Sequence, residues 1–264
     1  MKRLTCTRRF LHALLGALVL ASQVASAAQI QVVSSGGFAA ALRLLGPGYE
    51  RSSGNTLVVA WGPSMGQTPE AIPNRLKRGE PVDVVVMVDP ALDALIKEGK
   101  IAPASKKGLA CSRIAMAVRA GAVKPDISTV DALRKTLLGA RSIAYSDSAS
   151  GVYLSTVLFA RLGIAEQVKD KGRMIPGEPV GQVVARGEAQ IGFQQLSELL
   201  PIPGIEIVGL LPDGAQKVTL FSAAVATDSR APQAAAELIE FLASASAAVV
   251  IRQTGLEPYG QAGC

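Results

Sequence analysis

The chain has 264 residues, 49% of them apolar, with a formal charge of +6, three cysteines and one histidine. The histidine, His12, falls in a segment that reads as an export leader, which excludes a Ser-His-Asp triad, a Cys-His dyad and a histidine-ligated zinc site. No Lys/Arg run with interleaved aromatics is present, so nucleic-acid binding is not expected.

In chain order, Lys2, Arg3, Arg8 and Arg9 precede the apolar run Leu14 to Ala21, and Ala25, Ser26 and Ala27 follow. This is the layout of a secretory leader (residues 1–28) with cleavage near Ala27 or Ala28 and export to the periplasm. Arg8-Arg9-Phe10-Leu11 suits twin-arginine export, and ordinary secretion suits it equally. Removing the leader's four basic residues lowers the formal charge to +2 and takes away Cys6 and His12. Cys111 and Cys264 stay, free to pair or not in an oxidising compartment. No later stretch reaches the roughly 20 apolar residues of a membrane helix, so no membrane insertion is expected after leader removal. Any acid or base must be a carboxylate, Tyr, Lys or Cys.

Ile30 to Val33 reads as a strand ending in Ser34-Ser35-Gly36-Gly37, after which Phe38, Leu42, Leu45 and Tyr49 fall at helical spacing. Leu57 to Trp61 repeats the pattern, running through the polar turn Gly62 to Pro69 into a helix ending near Gly79. Val84 to Val88 is a continuous apolar strand of the kind buried on both faces of a sheet. Ile114 to Arg119 is a strand, and Val130 to Leu138 a helix. Ile143 to Ser146 then delivers the chain to Asp147, Ser148, Ser150 and Gly151, before Val152, Tyr153, Leu154, Val157 and Leu158 resume helical spacing. Pro176 to Gly181 is another turn and Ala189 to Phe193 another strand, with Gln194 and Gln195 at its carboxyl end. Ile205 to Leu210 and Lys217 to Val225 are strands, and two helices, Pro232 to Phe241 and Ala245 to Thr254, close the chain.

A strand that ends in a Ser/Gly turn and opens a helix presents hydroxyls and bare N–H groups to an anion. The alternation predicts an α/β protein with mainly parallel sheets and a ligand beyond their carboxyl ends. Crossings near Cys111 to Arg113 and Val218 to Leu220 make residues 112–219 a second lobe inserted in a first (29–111 and 220–264), a hinge suited to closure over a ligand. The turns at 34–37, 62–68, 146–151 and 176–181 then face one cleft, and strand alternation directs one of Gln194 and Gln195 into it.

The segments VVSSGG, RGEPVDVVVMVD, YSDSASGVYLS and ARGEAQIGFQQ, in this order, resemble the molybdate-type periplasmic solute-binding proteins across essentially the whole mature chain. The resemblance implies a two-lobed type 2 periplasmic-binding-protein fold and an oxyanion held at Ser35 with Gly36 and Gly37, Ser64, Ser150 with Gly151, Val180, and Gln195. In the oxyanion binders a first-loop serine stands where Gly37 is and a cleft-closing tyrosine where Gln195 is, and their second loop lacks GPSMGQTPEAIPNR. A longer loop and two cleft amides imply a larger, carboxylate-rich ligand. PSMGQTPEAIPNRL, IAYSDSASGVYLS and RMIPGEPVGQVVARGEAQIGFQQLSEL more closely resemble enzymes of this family that move the double bond of a tricarboxylate, interconverting trans- and cis-aconitate without a metal or organic cofactor. On that resemblance Met65, Arg75, Ser148 and Gln194 join the substrate-binding residues, and Glu178, Asp147 and Tyr153 are the candidate bases, with Tyr153 equally suited to packing. The alternative is a binder handing a molybdate-like oxyanion or organic acid to an ABC permease.

Overall fold

The computed structural model describes residues 27–260 and 263–264, so most of the expected leader, with Cys6 and His12, lies outside the described residues. The strands are β1 (Gln29–Ser34), β2 (Thr56–Trp61), β3 (Val84–Val88), β4 (Lys107–Ser112), β5 (Ile114–Arg119) and β6 (Ile143–Ser146). They continue as β7 (Gly172–Ile175), β8 (Ile191–Gln195), β9 (Ile205–Leu210), β10 (Thr219–Val225) and β11 (Glu257–Pro258). One sheet has the order β11-β4-β10-β3-β1-β2 and the other β7-β6-β8-β5-β9. Helices flank both, giving a two-lobed α/β fold.

The sheets are mixed. β1 pairs in parallel with β2 and β3, and β6 with β7 and β8, but β10 is antiparallel to β3 and β4, and β5 to β8 and β9. The reason is where those strands begin. β5 and β10 enter their sheets straight from the opposite sheet, at the end where the parallel strands terminate, so each must run against them. No crossover helix turns the chain round first, as a parallel connection requires. Gln216 ties the two passages together: its Oε1 accepts from Ile114 N at 2.9 Å, and its Nε2 donates to the carbonyls of Ile114 (3.0 Å) and Leu211 (3.2 Å).

All five residues of β3 are buried, as their uninterrupted apolar run requires. Helix α1 (Gly36–Ser53) buries Phe38, Leu42, Leu45 and Tyr49 against the same core, each fully buried apolar side chain contributing about 1.5–3 kcal/mol. Cys111 and Cys264 form a disulfide with a Cα–Cα separation of 5.6 Å. No single helix among the described residues is long and apolar enough to cross a membrane.

One carboxylate, Asp83, is buried at the start of β3. Its Oδ2 accepts from Gln31 N (2.7 Å), and its Oδ1 from Ser229 Oγ (2.7 Å), Arg230 N (2.8 Å) and Ala231 N (3.1 Å). Burial alone would raise its pKa, but these hydrogen bonds outweigh it and hold the group below its ordinary 3.8. Asp83→Ala is expected to lower the unfolding free energy by about 2–4 kcal/mol at pH 7, read by urea denaturation. A depressed carboxylate stabilises above its unfolded pKa and loses that contribution as pH falls through the folded one. The deficit should therefore shrink once the pH drops below 3.8.

Candidate active site

The carboxyl ends of β1, β2, β3, β6 and β8 border a cavity of about 440 Å³, within the usual range for small-molecule sites. On one wall, β1 hands over to α1 at Ser35, whose backbone is extended and whose side chain makes no capping bond. Its Oγ is buried and has no hydrogen-bond partner. Orphaned buried hydroxyls are rare, and this one's place in the cavity lining leaves it able to donate to an anion bound there. Gly36 and Gly37 open the helix, and a Cβ on either would displace a side chain of the cleft. At Gly37 it would strike the Phe221 ring, and at Gly36 the Glu198 carboxylate. Ser64 lines the same wall, its Oγ accepting from Val88 N at 3.1 Å.

The facing wall carries the turn after β6. Ser146 Oγ bonds Ser150 Oγ at 3.0 Å and accepts from Gly151 N (3.3 Å) and Ser148 N (3.4 Å). The helix that follows widens into a π-turn over Leu154–Leu158, a form common beside functional sites. Asp147 is half-buried, and burial raises its pKa against the opposing effect of the Gly177 N–H, which reaches its Oδ2 at 3.3 Å. The long loop after β2 comes across the cleft to this turn. A Cβ on Gly66, whose φ is +106°, would lie 3.1 Å from Asp147 Oδ2.

At the end of β8, Gln194 accepts from Val180 N through Oε1 (2.9 Å) and donates from Nε2 to Glu198 Oε1 (3.0 Å). Gln195 bonds Thr219 Oγ1 through Nε2 at 3.0 Å, and its other amide atom is buried without a partner. Both glutamines line the cavity, where alternation predicted one. The strand ends at Gln195 and the short helix Leu196–Leu199 begins, so the two-sided alternation stops there. Glu198, on that helix, keeps some contact with the cleft although protein atoms surround it. Burial pushes its pKa up to about 7; the Gln194 and Gln195 hydrogen bonds oppose the rise and the Asp147 charge adds to it.

Residues 30–257 match the bacterial extracellular solute-binding protein family. The chain belongs to that family. It is 56% identical over 248 residues to an aconitate isomerase of Pseudomonas sp., covering 92% of this chain and 95% of that one. It is 26% identical over 251 residues to the molybdate-binding protein ModA of Azotobacter vinelandii, covering 91% and 94%. The solved periplasmic molybdate-binding protein of Azotobacter vinelandii shares the fold, with a TM-score of 0.69 at 20% identity over 86% of this chain and 98% of that one.

In this solute-binding protein, Ser35, Gly36, Gly37, Ser64, Asp147, Ser148, Ser150, Glu178, Gln194 and Gln195 all line the cleft. Five predicted residues do not. Tyr153 is 6% exposed and packs in the second lobe's core, its hydroxyl donating to Ala215 O at 3.0 Å. Arg75 is taken up locally, pairing with Glu80 at 2.7 Å and donating to the Glu70 carbonyl at 3.0 Å. The Val180 N–H is spent on Gln194 and the Gly151 N–H on Ser146, while Met65 lies in the long loop outside the lining. Glu178 sits at the rim in an exposed 2.6 Å pair with Arg186, an arrangement that contributes little.

The sequence reading passed over Arg43, Trp61 and Glu198. Arg43 is the only Lys or Arg lining the cleft among the described residues, its guanidinium 4.5 Å from the Trp61 ring centroid. Gly36, Ala40 and Arg43 share a helix face by their i, i+4, i+7 spacing, distinct from the buried Phe38, Leu42, Leu45 face, so the signal was present.

Proposed function

We propose that this protein interconverts trans- and cis-aconitate by moving one proton across an allylic system, in the periplasm after cleavage near Ala27 or Ala28. The observation that carries the reading is the 56% identity, spanning both chains nearly end to end, with an aconitate isomerase. The geometry supports it chemically. A tricarboxylate needs donors on several sides, and the cleft offers the orphaned Ser35 hydroxyl, the helix start at Gly36 and Gly37, Ser148 and Ser150. Arg43 supplies the fixed positive charge. When a proton leaves the methylene carbon, the electron pair spreads through the double bond onto a terminal carboxylate, and the same donors stabilise that charge. Return of a proton to the former vinylic carbon shifts the double bond, which forms with either geometry.

The test is incubation of the purified mature chain with trans-aconitate, following cis-aconitate by proton NMR. Accumulation to a fixed ratio is expected; tight binding with no turnover would instead make the protein a carrier supplying an ABC permease. Arg43→Ala should raise KM about 10–100-fold, with a smaller change in kcat, because it removes a charge-assisted contact made with substrate and transition state alike.

A further inference from the structure

We propose that Glu198 is the group that carries the proton, a role that rests on the isomerase reading above. Four carboxylates line the cleft: Glu70, Asp147, Glu178 and Glu198. Glu70 is exposed on the long loop, and Glu178 is spent on Arg186 at the rim. Asp147 is half-buried and tied to the Gly177 N–H. Glu198 stands at the junction of the two walls. Its carboxylate rests against Gly36 at the start of α1, and neighbouring Ser197 donates from Oγ to Gly37 O at 2.8 Å, so its helix is fastened to the first lobe. Gln194 holds Oε1 at 3.0 Å with a neutral donor. That contact fixes direction without supplying a cation that would quench basicity.

The chemistry asks for such a group. A methylene hydrogen beside a carboxylate is weakly acidic, so the base must have a high proton affinity and still be ionised near neutrality. Isolation from water and the nearby Asp147 charge place Glu198 in that range. Asp147, Arg43, Glu70 and the Glu178–Arg186 pair are the other charged groups around this cleft. In the forward step the Glu198 carboxylate takes the proton as the methylene C–H bond breaks. The released pair forms the new double bond to the central carbon, and the old double-bond pair moves onto the former vinylic carbon and its carboxylate. Glu198 then gives the proton to that carbon. One C–H bond is lost, one is made, the carboxylate is restored, and no oxidant or metal enters the balance.

The test uses wild type, Glu198→Gln, Glu198→Asp and Asp147→Asn, each in the mature chain. Glu198→Gln should lose about 10²–10⁴-fold in kcat while trans-aconitate still raises its melting temperature. Glu198→Asp should keep measurable turnover, with the acid limb of its pH profile moved below the wild-type limb near pH 7. In D2O the product methylene of the wild type should keep part of the substrate's own hydrogen, because one carboxylate takes and returns the proton in competition with solvent exchange. Glu198→Gln within tenfold of wild type overturns the proposal, as does Asp147→Asn abolishing turnover that Glu198→Gln retains. Should Glu198→Gln not fold, an unmoved pH limb in Glu198→Asp overturns it. A wild-type protein that makes no cis-aconitate defeats the isomerase reading itself, which separates the two failures.

Discussion

Gly151→Ala should destabilise the protein by about 3 kcal/mol or more and remove most of its turnover in the same step. Gly151 has no left-handed backbone to protect, and helix propensity taken alone would favour alanine there by about 0.5–1 kcal/mol. Sterics decide otherwise. A Cβ at this position would lie 2.7 Å from both the carbonyl carbon and the nitrogen of Ser146, and closer still to its oxygen. That neighbour is backbone in β6, paired with β7 on one side and β8 on the other, so it cannot give way. Relief requires the helix to lift off the strand, breaking the Ser146 Oγ bonds to Gly151 N and Ser150 Oγ and displacing Ser148 and Ser150 from the cleft. Gly139→Ala is the comparison: a Cβ there meets nothing within 4 Å, so its urea midpoint should equal or exceed wild type. Equal midpoints for both variants would show that the turn tolerates a side chain and that its tight closure is not what shapes the cleft.

The contrast between Gly151 and Tyr153 shows how far one stretch of sequence can be read. Strand, polar turn and helix were legible because their signals are local: an apolar run, Ser/Gly residues, then apolar spacing near 3.6. The side of the helix on which Tyr153 lies was not, because its hydroxyl is claimed by Ala215, 62 residues away. Arg75 fails for the opposite reason. It is captured within its own loop by Glu80 and the Glu70 carbonyl, a capture visible only once that loop has closed. Glu198 stood in plain view four residues after Gln194, yet its burial comes from the start of α1, far away in sequence. The mixed sheets were illegible likewise, since strand direction follows from which end of a sheet the chain enters. Ser/Gly turns thus announced a cleft, while the charges that give it chemistry are set by contacts between distant segments.

Breaking the Cys111–Cys264 bond should lower stability by about 3–5 kcal/mol, or roughly 10 °C in Tm, without changing kcat at 25 °C. The two residues are separated by 153 positions, and closing a loop of that length removes about 5 kcal/mol of chain entropy from the unfolded state. The full amount is an upper bound, because residual structure in the unfolded chain already restricts it. What remains of the C-terminal attachment is modest: β11 is two residues long, Tyr259 N donates to Leu109 O at 2.9 Å, and the Tyr259 ring covers Gly108. All of these contacts fall on β4, the strand that leads out of the first sheet toward the second. The cleft lies elsewhere, and neither cysteine touches its lining, which is why stability and turnover should separate. Calorimetric melts of wild type and of the Cys111→Ser, Cys264→Ser double variant, alongside NMR turnover, check both halves. A Tm loss under about 2 °C would mean that β11 and Tyr259 already hold the tail, and a fall in kcat would mean that a change in β4 reaches the cleft through its passage into β5.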